Sequence, residues 1–351
     1  MKHFRLPARL LCLLLLLVLL VALSACKKKA DTAELPAVTK EPTVKPAPKA
    51  LWPLTGLPLS DRALMNRQPL SVKIENMKSI RPQTGLNSAD IVYETTVEGG
   101  ITRFNCLFDS NVPDEVGPVR SARLSDLWVV PQYHGLLFYS GANSQVLDGL
   151  KQQNLTGMSV NSAGAIYYRV RGKSAPHNLF LALSKAYDKA AELNISTSGN
   201  VPNPGPAFGA LSSEVATSAA GQGLDIPFSP ISDVTWTWDA ASGHYLREND
   251  GSVHRDAADG AQVWADNVVV LWAVYTPQAM KDPAGNGTFD TTLGGEGKVA
   301  IFRDGLRIDG TWKADRSAPP TFTDASGKPI VLKPGRTWFE VPSTDTAITS
   351  H

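Results

Sequence analysis

The sequence predicts an α+β chain, with a mixed α/β amino-terminal domain followed by a smaller β-rich carboxyl-terminal domain. Three observations lead there. Between residues 70 and 193, runs with strand alternation interleave with stretches of helical spacing. From Ser196 to Gly223 the composition turns to Gly, Pro, Ser and Ala, as in a connection. Beyond it, short apolar runs are punctuated by turn signals such as Asp250-Gly251 and Asp304-Gly305. The corresponding segments are 51–195 for the first domain, 196–224 for the linker and 225–345 for the second domain.

The first 50 residues stand apart. Lys2, Arg5 and Arg9 precede a leucine-rich run at 10–23, and Leu23-Ser24-Ala25-Cys26 follows. A positive start, a short apolar run and small residues make a secretory signal. The run is short for a spanning helix, which needs about 20 residues. Leu-Ser-Ala-Cys resembles the lipobox of bacterial lipoproteins. That resemblance implies cleavage before Cys26 and diacylglycerol on its sulfur, so the membrane is the first expected partner. An uncleaved anchor satisfies the same hydropathy but gives no reason for the small residues and the cysteine. Lys27, Lys28 and Lys29 would lie at headgroup level, where each is worth about 1 kcal/mol near an anionic surface. Pro36, Pro42, Pro46 and Pro48 then mark a polar tether. About 20 such residues at ~3.1 Å each would reach about 60 Å. The expectation is a signal peptide at 1–25 and a lipid-anchored tether at 26–50. The body would be extracytoplasmic, on the outer face of the cell membrane.

Cleavage would remove Lys2, Arg5 and Arg9 and no acid, turning the formal net charge of +1 into −2. Such a body has no global field for nucleic acid, and none is expected as a partner. Of the 3 cysteines, Cys12 leaves with the signal and Cys26 takes lipid, so Cys106 is alone and no internal disulfide can form.

In the first domain, 70–74 reads as a strand ending in Glu75-Asn76, and 81–86 as a turn. Residues 89–96 and 101–108 read as a hairpin closed by Val97-Glu98-Gly99-Gly100. A four-residue loop would set Tyr93 opposite Phe104, Ile91 opposite Cys106 and Glu94 opposite Arg103. Cys106 then becomes a small buried apolar residue rather than a nucleophile. Residues 117–123, Gly-Pro-Val-Arg-Ser-Ala-Arg, precede a helix to about Tyr133. With Ser121 as its cap, Arg123 falls in the first turn, a poor place for a cation unless an acid or anionic ligand meets it. Arg120 and Arg123 could clamp phosphate or carboxylate, or pair internally with Glu94, Glu98 or Asp126. Residues 136–140 read as a strand, and 144–153 as a helix with Val146, Leu147 and Leu150 on one stripe. Ala175-Pro176-His177-Asn178 forms a rigid bend before a helix at 181–193. His177 there could exchange protons, cap the helix or fill a polar niche.

In the second domain, 234–238 and 244–247 are strands, and 267–276 is apolar on both faces, as in a doubly covered central strand. The Asp304-Gly305 turn sets Phe302 opposite Arg307 and Ile301 opposite Ile308. Residues 335–341 close the domain. Trp236, Trp238, Trp264, Trp272, Trp312 and Trp338 all lie in this half. A glycan-stacking face is one use for them; filling a β core is the commoner one.

Several of these segments together resemble the YerB-like lipoprotein family of bacteria. They are Ile74-Glu75-Asn76, residues 81–86, 89–94, 98–103 and 117–123, Ala175-Pro176-His177-Asn178 and Gly335-Arg336-Thr337-Trp338. The resemblance spans about residues 54–342 and implies the same succession of a mixed α/β domain and a smaller β-rich one. It implies no activity, since the family is one of unknown function.

The mature body lacks Gly-x-Ser-x-Gly, Ser-x-x-Lys, His-Glu-x-x-His, Cys-x-x-Cys and P-loop motifs. No cofactor is implied. His134, His177, His244, His254 and His351 have no metal-ligand spacing, so no metal is expected. Two functions remain. The first is a cell-envelope binding or scaffolding protein that engages an anionic wall component or an envelope protein through Arg103, Arg120, Arg123, His177 and Asn178. The second is a wall hydrolase using Glu94 and Glu98, for which a glutamate tightly paired to an arginine would be a poor acid.

Overall fold

The computed structural model describes residues 50–199, 201, 206–215, 217, 220–282 and 284–351. The expected signal, Cys26 and the tether up to Lys49 lie outside the described residues.

In chain order the strands are β1 Leu70–Glu75, β2 Ile91–Thr96, β3 Thr102–Phe108, β4 Leu136–Tyr139, β5 Gly157–Ser159, β6 Tyr167–Arg169 and β7 Leu179–Leu181. They continue with β8 Gly223–Ser229, β9 Ser232–Asp239, β10 His244–Asn249, β11 Ser252–Val253, β12 Trp264–Ala265, β13 Asn267–Leu271, β14 Val274–Lys281 and β15 Gly287–Thr292. The last are β16 Gly295–Arg303, β17 Leu306–Ala314, β18 Thr321–Thr323, β19 Thr337–Val341 and β20 Thr349–Ser350. The helices are α1 Asp126–Gln132, α2 Ser144–Gln152 and α3 Ala186–Glu192.

One mixed sheet of ten strands, ordered β18-β17-β16-β13-β19-β2-β3-β1-β4-β5, runs through both halves of the body. The seam is β19, which pairs parallel with β13 on one side and β2 on the other. Every residue of β1, β3, β13 and β19 is buried, so the sheet is covered on both faces. Val72, Val92, Phe104, Val268, Phe302 and Trp338 share a core with Leu224, Val234, Trp236 and Tyr245 of a second, antiparallel sheet built from β8–β12 and β20. On the opposite face, Ile91, Tyr93, Leu107, Ile301 and Phe339 pack with Val129 of α1 and with Tyr133, which ends that helix. Two ribbons, β6–β7 and β14–β15, lie off both sheets.

Several expectations hold. Phe302 pairs with Arg307 and Ile301 with Ile308. Asp250-Gly251 and Asp304-Gly305 have φ of 52°, 67°, 55° and 72°, as a two-residue hairpin turn with both central residues left-handed requires. Cys106, Trp236, Trp272, Trp312 and Trp338 are core residues.

Others are corrected. In the β2–β3 hairpin, Thr96 pairs with Thr102, Thr95 with Arg103 and Glu94 with Phe104, one residue off the expected register. The loop is 97–101, because Glu98–Gly100 coils into a 3-10 turn and the Val97 N–H closes on the Ile101 carbonyl at 2.8 Å. A slip of one residue sends each side chain to the other face. Glu94 therefore points toward the smaller sheet and Arg103 toward the α1 side. Ser121 caps no helix: residues 120–122 run extended, with the Arg120 N–H on the Lys73 carbonyl and the Ala122 N–H on the Gly141 carbonyl, both at 2.9 Å. The Asp126 carboxylate accepts the Arg123 N–H at 2.6 Å, so Arg123 sits just before α1 rather than in its first turn. The helix expected at 181–193 shrinks to α3, because the buried triplet Leu179–Leu181 pairs with β6. Leu147 lies off the buried stripe of α2 and is 47% exposed. The apolar run at 267–276 leaves the sheet after Leu271 and turns into β14.

Candidate functional site

The hairpin register and the extended segment at 120–122 bring charged side chains together on the α1 side of the sheet. Arg103, from β3, and Arg123 each donate from Nη1 to the Ser121 carbonyl, at 3.2 and 3.3 Å. Arg123 also grips Glu98 from two nitrogens, Nε at 2.8 Å and Nη2 at 2.6 Å. Glu75, wholly buried at the end of β1, lies 3.2 Å from Arg120 Nε, and His177 Nδ1 is 2.9 and 3.0 Å from its two oxygens. Beneath them, Lys73 Nζ meets Asp126 at 2.9 Å, with Asn105 donating to the same oxygen.

Among the described residues this cluster holds four cations (Lys73, Arg103, Arg120, Arg123) against three carboxylates (Glu75, Glu98, Asp126). The surplus falls on Arg103. It is 5% exposed, has no ion-pair partner among the described residues, and its Nε has no hydrogen-bond partner. Burial, and then Arg123 and Arg120, pull its pKa down to about 9. A buried cation so poorly compensated is a place where an added negative charge is stabilised.

A groove of about 420 Å³ opens beside the cluster, lined by Glu98, Ser121, Arg123, Ala142, Asn143, Lys281, Asp282 and Thr288. One wall is the cluster and the turn before α2; the other is the β14–β15 ribbon of the second half. Lys281 is exposed and carries no ion pair among the described residues. Asp282 is occupied with its own turn, accepting from the Ala284 and Asn286 N–H groups at 2.9 and 2.8 Å.

The residues singled out from sequence thus part company. Arg123 and Glu98 line the groove, Arg103 backs it through Ser121, and Arg120 and His177 flank it on Glu75. Asn178 is structural: its Oδ1 accepts from Arg169 at 2.6 Å and its Nδ2 donates to the Val170 and Lys173 carbonyls. Glu94 lies in a different layer. It is fully buried, with Arg247 Nη2 at 2.6 Å, Thr102 Oγ1 at 2.5 Å and Asn76 Nδ2 at 3.1 Å. Arg247 is in turn enclosed by Phe104, Trp236 and Trp338. Glu94 and Glu98 therefore do not share a cavity, and each is committed to an arginine. Glu75 and Lys281 were missed. Glu75 was visible only as a motif residue, and an exposed lysine in a ribbon carries no local signal.

Family models match two stretches of the chain: residues 54–196, described as the N-terminal domain of a protein of unknown function (DUF3048), and residues 224–339, described as its C-terminal domain. The chain is also 30% identical over 311 residues to the "Putative lipoprotein YerB" of Bacillus subtilis (strain 168), covering 86% of this chain and 89% of that protein. The chain belongs to the DUF3048 family. The crystal structure of the YerB protein from Bacillus subtilis matches the fold with a TM-score of 0.73 at 26% identity, over 86% of this chain and all of that one. The two DUF3048 segments each contribute a wall of the groove and are joined by β19 within one sheet.

Proposed function

We propose that this DUF3048 protein is a lipid-anchored, extracytoplasmic binding protein of the cell envelope, and that its groove takes an anionic group of a cell-wall component. The uncompensated Arg103 behind Ser121 and Arg123 carries this reading. An incoming carboxylate or phosphate would meet Arg123 and the free Lys281, and would relieve the repulsion among the three arginines. The Leu-Ser-Ala-Cys ending before the polar tether, and the similarity to a Bacillus subtilis protein named as a lipoprotein, support the lipid on Cys26 and the location.

The test is incubation of the detergent-solubilised full chain with purified sacculi, following both co-sedimentation and released fragments. Salt-sensitive co-sedimentation without release, weakened in Arg120→Ala and Arg123→Ala, is the expected result. Fragment release that disappears in Glu98→Gln would instead make the protein a wall hydrolase.

A further inference from the structure

A second cavity, of about 290 Å³, lies at another junction of the two halves and shares no lining residue with the groove. It is lined by Lys78, Arg81, Pro82, Asn249, Ser252, Val253, His254 and Arg255. No carboxylate is among them. Arg81 is held by Asp250 at 2.6 Å and by Asn76, so it contributes a fixed but largely neutralised guanidinium. Lys78 is exposed and has no ion pair among the described residues. Arg255, also exposed, donates only to the Gly260 carbonyl, at 3.0 Å.

The remaining polar lining groups are spoken for, with one exception. Asn249 is saturated by Asn76, Arg247, Asp250 and the Asp233 carbonyl. His254 is buried between Arg247 and Gln83, and burial, followed by the charges of Arg247 and Arg81, holds its pKa well below the usual histidine range and keeps it neutral. The Ser252 hydroxyl has no hydrogen-bond partner among the described residues. The cavity thus presents two free cations and a free hydroxyl on two separate segments, 78–82 and 252–255, beside an apolar wall of Pro82 and the 44% exposed Val253.

We infer that this cavity binds a phosphoryl group carried on a small polyol. Donors from separate segments suit the tetrahedrally arranged oxygens of a phosphoryl group better than a planar carboxylate, which is satisfied by a single fork. Lys78 and Arg255 supply two positive charges, enough for the single negative charge of a phosphodiester and close to the roughly −1.5 to −2 of a terminal phosphate monoester. Pro82 and Val253 offer a surface to the attached carbons. The source of the phosphoryl group is either a phospholipid headgroup or a polyol-phosphate polymer of the envelope.

The full chain in non-ionic detergent would be titrated calorimetrically with glycerol 3-phosphate, with glycerophosphoglycerol as the free headgroup of a phospholipid, and with short glycerol-phosphate oligomers. Saturable binding is expected, weakened at least tenfold in the double variant Lys78→Ala/Arg255→Ala, with co-sedimentation on sacculi stripped of phosphate polymers unchanged. Both positions are exposed, so the double variant should fold; Arg255→Glu gives a second variant that should lose binding. Affinity that rises with oligomer length assigns the polymer, and full affinity for glycerophosphoglycerol assigns the lipid headgroup. Absence of saturable binding by all three probes, or equal affinity in the double variant, would overturn the inference.

Discussion

Two buried arginines set the logic of this molecule, and they differ in what surrounds them. Arg247 has Glu94 at 2.6 Å and three aromatic rings about its guanidinium, so its charge is answered within the fold. Arg247→Met should destabilise the protein by about 3–5 kcal/mol in urea unfolding, because Glu94 would be left as an uncompensated buried charge. Arg103 has no such partner, and its surplus charge is the basis of the proposed binding site. A third buried group completes the picture. Glu340 sits directly across from Glu94 between β19 and β2, and burial together with that neighbour pushes its carboxyl well above the usual range. A carboxyl with a raised folded pKa is tolerated while protonated and costs stability as pH climbs above its unfolded value near 4.5. The slope is about 1.4 kcal/mol per pH unit between the two values. Glu340→Gln should therefore stabilise the protein by about 1–3 kcal/mol at pH 7 and by less at pH 5, as read from urea midpoints at the two pH values. Little of this was legible in sequence. Glu94 looked paired to Arg103, but its true partner lies 153 positions away, where no local pattern reaches.

At the scale of elements, legibility followed turn chemistry. Asp304-Gly305 fixed its hairpin because Asp-Gly readily takes the two left-handed positions of a two-residue turn whose twist matches that of the flanking strands. Gly305, at φ +72°, also faces Gln222 and Trp238 so closely that an added Cβ would lie 2.7 Å from Gln222 Nε2. Gly305→Ala should cost about 1–2 kcal/mol, measured as a lower melting temperature with the fold retained. The loop at 97–101 was harder, because two adjacent glycines permit loops of different length, and the choice of one decides the face of every residue in β2. Arg120, Ser121 and Arg123 were recognised as a unit, but the path that sets the Ser121 carbonyl between the Arg103 and Arg123 guanidinium groups and turns Arg120 to Glu75 depends on backbone bonds to β1 and to Gly141. The sequence offers no local cue for those bonds.

At the scale of the whole body, the order of a mixed first half and a β-rich second half was visible in composition and turn spacing. That β19 inserts between β13 and β2, making one sheet of both halves, was not. The partner of a strand so far along the chain is a long-range choice among many apolar edges. The consequence is cooperative. Because the DUF3048 segments share hydrogen bonds and core across β19, thermal and urea unfolding should show a single transition, seen alike by tryptophan fluorescence and far-UV circular dichroism. Two separated transitions would mean that the halves hold independently. The same joining forms the groove, since one wall comes from each half.

The central claim is that surplus positive charge at this groove binds an anion of the cell wall. Its most direct test is sacculus binding measured against salt concentration for the wild type, Arg120→Gln and Arg123→Gln, with circular dichroism confirming that each variant is folded. A charge-assisted contact is worth about 1.5–3 kcal/mol, so losing one arginine should weaken binding about tenfold or more and flatten the salt dependence. Binding of equal strength and equal salt dependence in all three proteins would contradict the account.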